Sequence, residues 1–175
     1  MRRTRFDRWP CSIARATDLL GDWWTPLVLR ECFYGLRRFD ELQAALGLAR
    51  NVLTARLERL VEERILEKHA YQENPPRHDY RLTEKGLALF PVLLAMMAWG
   101  DEWLFSGRPP VVLHDRRNGK RVVPAVVDAR TGKPIDARSI RASPGPGFPL
   151  ALLAEPTVRR RFRLDPALPA QPKKR

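Results

Sequence analysis

Leu36–Leu66, LRRFDELQAALGLARNVLTARLERLVEERIL, is the stretch that decides how this chain folds. It reads as a helix, a turn at Gly47 and a second helix, with Leu42, Leu46 and Leu48 bracketing the turn. On the second helix Leu53, Leu57 and Leu60 recur at i, i+4 and i+7 and make one apolar stripe. With that stripe turned inward, Asn51, Ala55, Glu58 and Glu62 fall on the opposite face. Thr54 and Arg59 flank them, and Arg50 stands at the amino end. A short, polar, basic amino-terminal half whose back is anchored in a core suits a helix that enters the DNA major groove. An ordinary amphipathic helix pair carries the same stripe, so the flanking segments must decide.

The segment that follows supplies the first decision. Turn chemistry concentrates at Asn74-Pro75-Pro76, with Tyr71 before it and Tyr80 and Leu82 after it, which predicts a β-hairpin. A hairpin directly after a helix–turn–helix is a wing. Arg77 and His78 follow its tip, where an arginine can enter a minor groove or meet a phosphate.

Upstream, Ser12 can cap a helix running to about Leu20, and Gly21 ends it. Pro26 fits the first turn of a second helix, where its missing N–H costs nothing. Leu27, Val28, Glu31 and Cys32 share one face there, so Cys32 reads as a small core residue. Downstream, Thr83 and Glu84 open a long helix to about Phe105, which Pro91 should kink. Leu87, Phe90, Leu94 and Met97 make one apolar face of it; Leu89, Leu93, Met96 and Trp99 make another. A helix apolar most of the way round needs cover on two sides. A domain this small offers one core, so a second copy is expected on the other side.

Past residue 107 the composition changes. Residues 108–175 hold 11 of the 16 prolines, and 16 Lys+Arg against 5 Asp+Glu. Residues 1–107 are nearly balanced, with 16 against 15. The net charge of +12 therefore describes the carboxy-terminal part more than the helix–turn–helix. Asn118-Gly119-Lys120 and Thr131-Gly132-Lys133 suggest paired small hairpins. From Ala142 on, a Pro-rich basic tail is expected to be flexible, and Arg159–Arg163 and Lys173–Arg175 could follow a polyanion. The fold class expected is mainly α with a small β-hairpin wing (winged helix-turn-helix), a small β-rich appendage and a Pro/Arg-rich tail. The boundaries are 1–107, 108–141 and 142–175.

Two cysteines make no disulfide framework, and no run of about 18 apolar residues offers a membrane span. No signal-peptide pattern follows the basic amino terminus, so a cytoplasmic location is expected. None of the common metal, nucleotide or nucleophile motifs is present. No enzyme activity, metal or cofactor is expected.

Several stretches resemble one family when taken together. They are Cys11-Ser-Ile-Ala-Arg-Ala16, Gly21-Asp-Trp-Trp-Thr25, Leu29-Arg30-Glu31, Arg38-Phe-Asp-Glu-Leu42 and Asn51-Val-Leu-Thr-Ala-Arg-Leu57. Pro75-Pro-Arg-His-Asp-Tyr-Arg-Leu-Thr-Glu-Lys-Gly86 and Trp99 complete the set. In order and spacing, over about residues 9–105, they resemble the HxlR-type winged helix-turn-helix regulators of the MarR-like superfamily. The resemblance implies a bacterial transcriptional regulator, expected to be a repressor, that binds an inverted repeat in double-stranded DNA as a homodimer. It also implies that the first and last helices of the winged domain make the dimer contact. Arg64 departs from the family, which usually has a glycine closing the recognition helix. Longer relatives often carry a zinc-ribbon-like appendage with cysteines at its knuckles. No cysteine follows position 32 here, and His114 alone cannot hold zinc. Residues 108–141 therefore read as a metal-free version of that module.

On this reading Arg50, Asn51 and Thr54 lie nearest the base edges. Arg37, Arg38, Arg56 and Arg59 are candidates for phosphate, and Arg77 and His78 are the wing contacts. Several family members sense oxidants or electrophiles through a cysteine at the place of Cys11. Arg8, Arg15 and a helix start at Ser12 make a setting that favours a reactive thiol. An oxidant or small-molecule effector would fit the family, but the sequence identifies none. The alternative is a winged-helix module that docks a protein, since Glu58 and Glu62 on the exposed face repel phosphate. Their place late in the helix, beyond groove depth, weakens that alternative.

Overall fold

The structure, a computed structural model, describes Arg5, Phe6 and residues 8–164. Its central pair is α3 (Phe39–Leu46) and α4 (Arg50–Glu62). Gly47 separates them in the left-handed region at φ 64°, where a side chain is strained. Leu42 of α3 and Leu53, Leu57 and Leu60 of α4 are completely buried. The predicted stripe is thus the core-facing side of α4, and Asn51, Ala55, Glu58 and Glu62 are all exposed. Each buried leucine contributes about 1.5–3 kcal/mol relative to exposure.

The other half of the core comes from α2 (Thr25–Phe33), which buries Val28, Leu29 and Cys32. Asp22 starts that helix by accepting the backbone N–H groups of Trp24 and Thr25, both at 2.9 Å. Pro26 lies in its first turn, as its chemistry predicts. Leu19 and Leu20, at the end of α1 (Ser12–Leu20), pack against the same cluster.

The wing is present. Strand β1 (Leu66–Gln72) pairs antiparallel with β2 (Arg77–Leu82), from Leu66 opposite Leu82 to Gln72 opposite Arg77, with a bulge at Tyr71. Gln72 Nε2 donates to the carbonyls of Asn74 and Pro75, both at 3.1 Å, and so holds the tip. The strand pair is tied to the helices: Tyr80 N–H donates to the Arg37 carbonyl at 2.7 Å, and Arg38 bridges to Asp79.

The end of α4 explains the segment after the wing. Arg64 has φ 55°, in the left-handed region that favours glycine, at the position where the resemblance leads one to expect glycine. Its N–H donates to the Val61 carbonyl at 2.9 Å, and the Ile65 N–H donates to the Leu60 carbonyl at 2.8 Å, closing a Schellman motif. The left-handed conformation costs a side chain about 1–2 kcal/mol, and glycine's extra chain entropy offsets part of that gain. Arg64→Gly should therefore raise stability by about 0.5–1 kcal/mol in urea denaturation. Thr83 Oγ1 donates to the Arg64 carbonyl at 2.7 Å, and Lys85 Nζ donates to the Glu63 carbonyl at 2.6 Å. The short helix α5 (Glu84–Leu87) thus serves as a plate on the carboxyl end of α4.

The single kinked helix expected over 84–105 is instead two helices. Helix α5 ends at Leu87, and α6 runs Phe90–Trp103. Pro91 sits in the first turn of α6, where it needs no N–H partner; within a continuous helix it would clash with the Leu87 carbonyl. The two-sided character of α6 holds with altered membership. Leu93, Leu94 and Met97 are half-buried, and Phe90 stacks on Phe33 with ring centroids 4.7 Å apart. Val92, Trp99 and Trp103 on the far side are exposed, the two tryptophans by 59% and 71%.

After α6 come two matched turns. Strand β3 (Leu113–His114) pairs with β4 (Arg121–Val122), and Val127 bridges to Pro134. In each turn an aspartate starts the same set of bonds. Asp115 N–H donates to the Lys120 carbonyl, and Asp128 N–H to that of Lys133, both at 2.9 Å. Gly119 and Gly132 close the turns at φ 68° and 67°. These are the paired hairpins that the two Gly-Lys steps predict. The stretch expected as a flexible tail is ordered locally as far as it is described. A 3-10 helix (Leu150–Ala154) leads into α7 (Pro156–Phe162), Val158 is buried, and Phe148 meets Phe162 edge-on at 5.4 Å. Arg159–Arg163 fall on α7 and its end, while Lys173–Arg175 lie outside the described residues. The described chain forms two compact units, one of Leu19–Pro134 and one that combines the residues up to Asp18 with those from Ile135 on. No helix among the described residues is long and apolar enough to cross a membrane.

Candidate nucleic-acid interface

Helix α4 is preceded by Ala49, which is extended and provides no side-chain cap; its carbonyl takes the Val52 N–H at 3.0 Å, and the N–H groups of Arg50 and Asn51 keep their capacity for an outside acceptor. Arg50 and Asn51 are exposed on that first turn, and Thr54 is half-buried one turn on. The Arg50 guanidinium lies over the Phe39 ring, 4.7 Å from its centroid. That contact orients a long side chain without neutralising it.

An open cleft of about 420 Å³ separates the start of α4 from the wing. Arg50 and Phe39 line one side of it; Arg77, His78, Tyr71 and the tip prolines line the other. Three of the predicted contact residues, Arg50, Arg77 and His78, therefore share one concavity although 27 positions separate Arg50 from Arg77 in sequence. Asp40 is the acidic member of the lining. Tyr80 also lines it; its phenol is pushed above the ordinary range by burial and by Glu58, so it stays a neutral donor.

The remaining arginines divide. Arg37 is exposed. Arg38 lies 4.8 Å from the Tyr71 ring centroid and 3.8 Å from Asp79, which also faces Arg81 at 3.4 Å. Arg56 is different: its Nε is 3.1 Å from the Asp22 carboxylate and only 28% of its side chain is exposed. It joins the recognition helix to the start of α2. Arg59 pairs with Glu63 at 2.8 Å, one turn along. Sequence reading missed Asp22, Asp79, Gln72 and the two aromatic rests, Phe39 and Tyr71. Asp22, Phe39 and Asp79 carried a signal, as members of the quoted motifs, and Tyr71 as a strand residue before the hairpin tip.

The two cysteines have opposite settings. Cys32 is buried, and its thiol is pushed up to about 12 by burial and then by Glu31, so it remains protonated and inert at ordinary pH. Cys11 is exposed. It immediately precedes α1, and its carbonyl accepts the Arg15 N–H at 3.1 Å. The cap position expected for Ser12 thus falls to Cys11, with Ser12 the first helical residue.

Comparison with known proteins agrees with this architecture. The family model described as HxlR-like helix-turn-helix matches residues 19–107. The HTH-type transcriptional regulator Rv3095 of Mycobacterium tuberculosis, itself uncharacterised, is 42% identical over 138 residues, which cover 78% of this chain and 87% of that one. The crystal structure of PA1607, a candidate transcription factor, superposes with a TM-score of 0.71 at 39% identity, covering 80% of this chain and 99% of that one. The redox regulator HypR in its reduced form gives a TM-score of 0.50 at 26% identity over 55% of this chain and 99% of its own. The family and these relatives are regulators, not enzymes. A winged helix-turn-helix with its recognition helix and wing on one cleft, matched by a family model over half its length, places the chain in the HxlR-like helix-turn-helix family of DNA-binding transcriptional regulators.

Proposed function

We propose that the protein is a homodimeric repressor that inserts the first turns of α4 into successive major grooves of an inverted repeat. The observation that carries this reading is the shared cleft of Arg50, Arg77 and His78, with Asn51 and Thr54 beside it on α4. Asn51 would pair with adenine, Arg50 with guanine or a phosphate, and Arg37, Arg38 and Arg77 with the backbone. Arg56 and Arg59 spend their charge on Asp22 and Glu63 and would act by holding α4 in place. The exposed Val92, Trp99 and Trp103 face of α6 supports a second copy. Bound across a promoter, such a dimer excludes polymerase, which makes repression the proposed output. Residues 108–141 would be a metal-free ribbon-like appendage to this domain.

The proposed contacts separate in a binding assay. Asn51→Ala should weaken binding to a selected operator by about 1–3 kcal/mol and relax specificity. Arg77→Ala should weaken all sequences alike and lower the salt slope by about 1. Affinity and slope unchanged in both variants would remove α4 and the wing from the DNA surface.

A redox response through Cys11 is a second reading, favoured by its exposure and by the likeness to HypR. In the folded protein a thiol reagent should modify Cys11 quickly and leave Cys32 intact. DNA affinity should change on diamide treatment and should not change in Cys11→Ser. Equal affinity for reduced, oxidised and variant protein would end this reading.

A further inference from the structure

The unit that combines the residues up to Asp18 with those from Ile135 on carries most of the protein's excess charge. Its described part holds nine arginines and no lysine, against three acids, Asp18, Asp136 and Glu155. Of these acids Asp18 is buried, and Asp136 accepts the Arg138 N–H at 3.0 Å in a tight turn. We propose that this unit is a second DNA surface, which grips phosphates without regard to sequence. It rests on the reading of α4 and the wing as the part that selects the operator, and adds to it a hold on the backbone.

Helix α7 sets the arginines in place. Val158 and Phe162, one turn apart, face inward: Val158 is buried, and Phe162 meets Phe148 edge-on. At roughly 100° per residue, Arg160 stands opposite Val158, with Arg161 next to it. Arg160, Arg161 and Arg163 are all exposed. The end of the helix is closed by its own bonds, with Arg163 at φ 52° and the Leu164 N–H donating to the Arg159 carbonyl at 2.9 Å. Arg141 Nη2 donates to the carbonyls of Phe162 and Arg163, at 3.3 and 3.4 Å. One cation meets the negative end of a helix, and Arg141 provides it. The helix dipole therefore does not account for Arg160, Arg161 and Arg163.

Pairing points the same way. In the winged unit Arg30, Arg38, Arg56, Arg59 and Arg81 each face a carboxylate. Arg160, Arg161 and Arg163, like Arg15 on α1, face none among the described residues. The same lack marks Arg37, Arg50 and Arg77, the arginines assigned to DNA. Like charges crowded on one short helix repel each other, a cost that a polyanion removes. The guanidinium fork matches phosphate geometry. A membrane surface is the poorer partner, because an interfacial helix turns an apolar face outward and α7 turns Val158 and Phe162 inward.

The probe is a random-sequence DNA duplex of about 30 base pairs, titrated with the full-length protein over a range of salt concentrations, beside a selected operator. Replacing Arg160, Arg161 and Arg163 together by glutamine should lower the salt slope on the random duplex by about 2–3 and weaken binding at least about tenfold. The ratio of operator to random affinity should stay that of the wild type. Asn51→Ala should do the opposite, lowering the ratio and keeping the slope, so failure of the operator reading and failure of this surface are seen separately. Lysine at the same three positions keeps the charge and should keep the slope. A wild-type slope in the glutamine variant would overturn the proposal. A slope lost equally in the lysine variant would assign the arginines to packing and overturn it too. Loss of binding to phosphatidylglycerol vesicles in the glutamine variant, with the duplex slope unchanged, would make the partner a membrane and also overturn it.

Discussion

Gly86→Ala should destabilise the protein by about 3 kcal/mol, a large share of the 5–15 kcal/mol available to a domain. A Cβ at this position would lie 2.3 Å from the Ile65 carbonyl oxygen and 3.0 Å from Leu82 Cδ2. The first neighbour is backbone and cannot rotate away. Helix α5 would have to lift by roughly 1 Å to reach an ordinary contact distance. Lifting α5 also disturbs Thr83, which donates to the Arg64 carbonyl, accepts the Gly86 N–H at 3.1 Å and ties its own N–H to Ile65. Overpacking in a filled site typically costs about 1–3 kcal/mol, and each lost hydrogen bond adds about 1. The measurement is a urea denaturation at constant slope. An alanine variant as stable as the wild type would mean that α5 does not rest on the end of α4. The consequence for DNA is direct, because this plate fixes where the recognition helix stops and the wing begins.

The second large effect lies on α6. Trp99→Ala should weaken self-association by about 2 kcal/mol or more, roughly thirtyfold, as expected for a tryptophan at the centre of an interface. Trp99 and Trp103 are exposed by 59% and 71%, with Val92 beside them, on a helix that buries no residue fully within its own chain. Sedimentation velocity across a dilution series reads the effect. Operator affinity should fall with it, because each half-site is then bound without its partner. The same association constant for variant and wild type would move the dimer contact elsewhere.

The helix–turn–helix and wing were legible because their signals are local and repeat. Leu53, Leu57 and Leu60 set the inner face of α4, and Asn74-Pro75-Pro76 set the hairpin tip. What sequence alone did not reveal depends on partners far apart in the chain. Arg56 reads as a free basic residue until folding brings Asp22 to 3.1 Å. Arg38 reads the same way until β2 brings Asp79 alongside. The break between α5 and α6 could have been read from Pro91, whose ring is better placed in a first turn than in a helix interior. Thr83, Lys85 and Gly86 belong to a motif recognised by resemblance. Their physical reason, the capping of the last carbonyls of α4, emerges only with the fold. Arg64 shows the reverse: the sequence marks a strained position, and the backbone adopts it at φ 55°, held by bonds on both sides.

The central claim is that two copies of α4 read DNA from one face of a dimer. Selection from a random-sequence duplex library by the full-length protein tests it most directly. An enriched inverted repeat is predicted, with half-site centres about 10–10.5 base pairs apart, and with the enrichment lost in Asn51→Ala. Enrichment of a single unpaired site, no enrichment at all, or the same repeat selected by Asn51→Ala would contradict it.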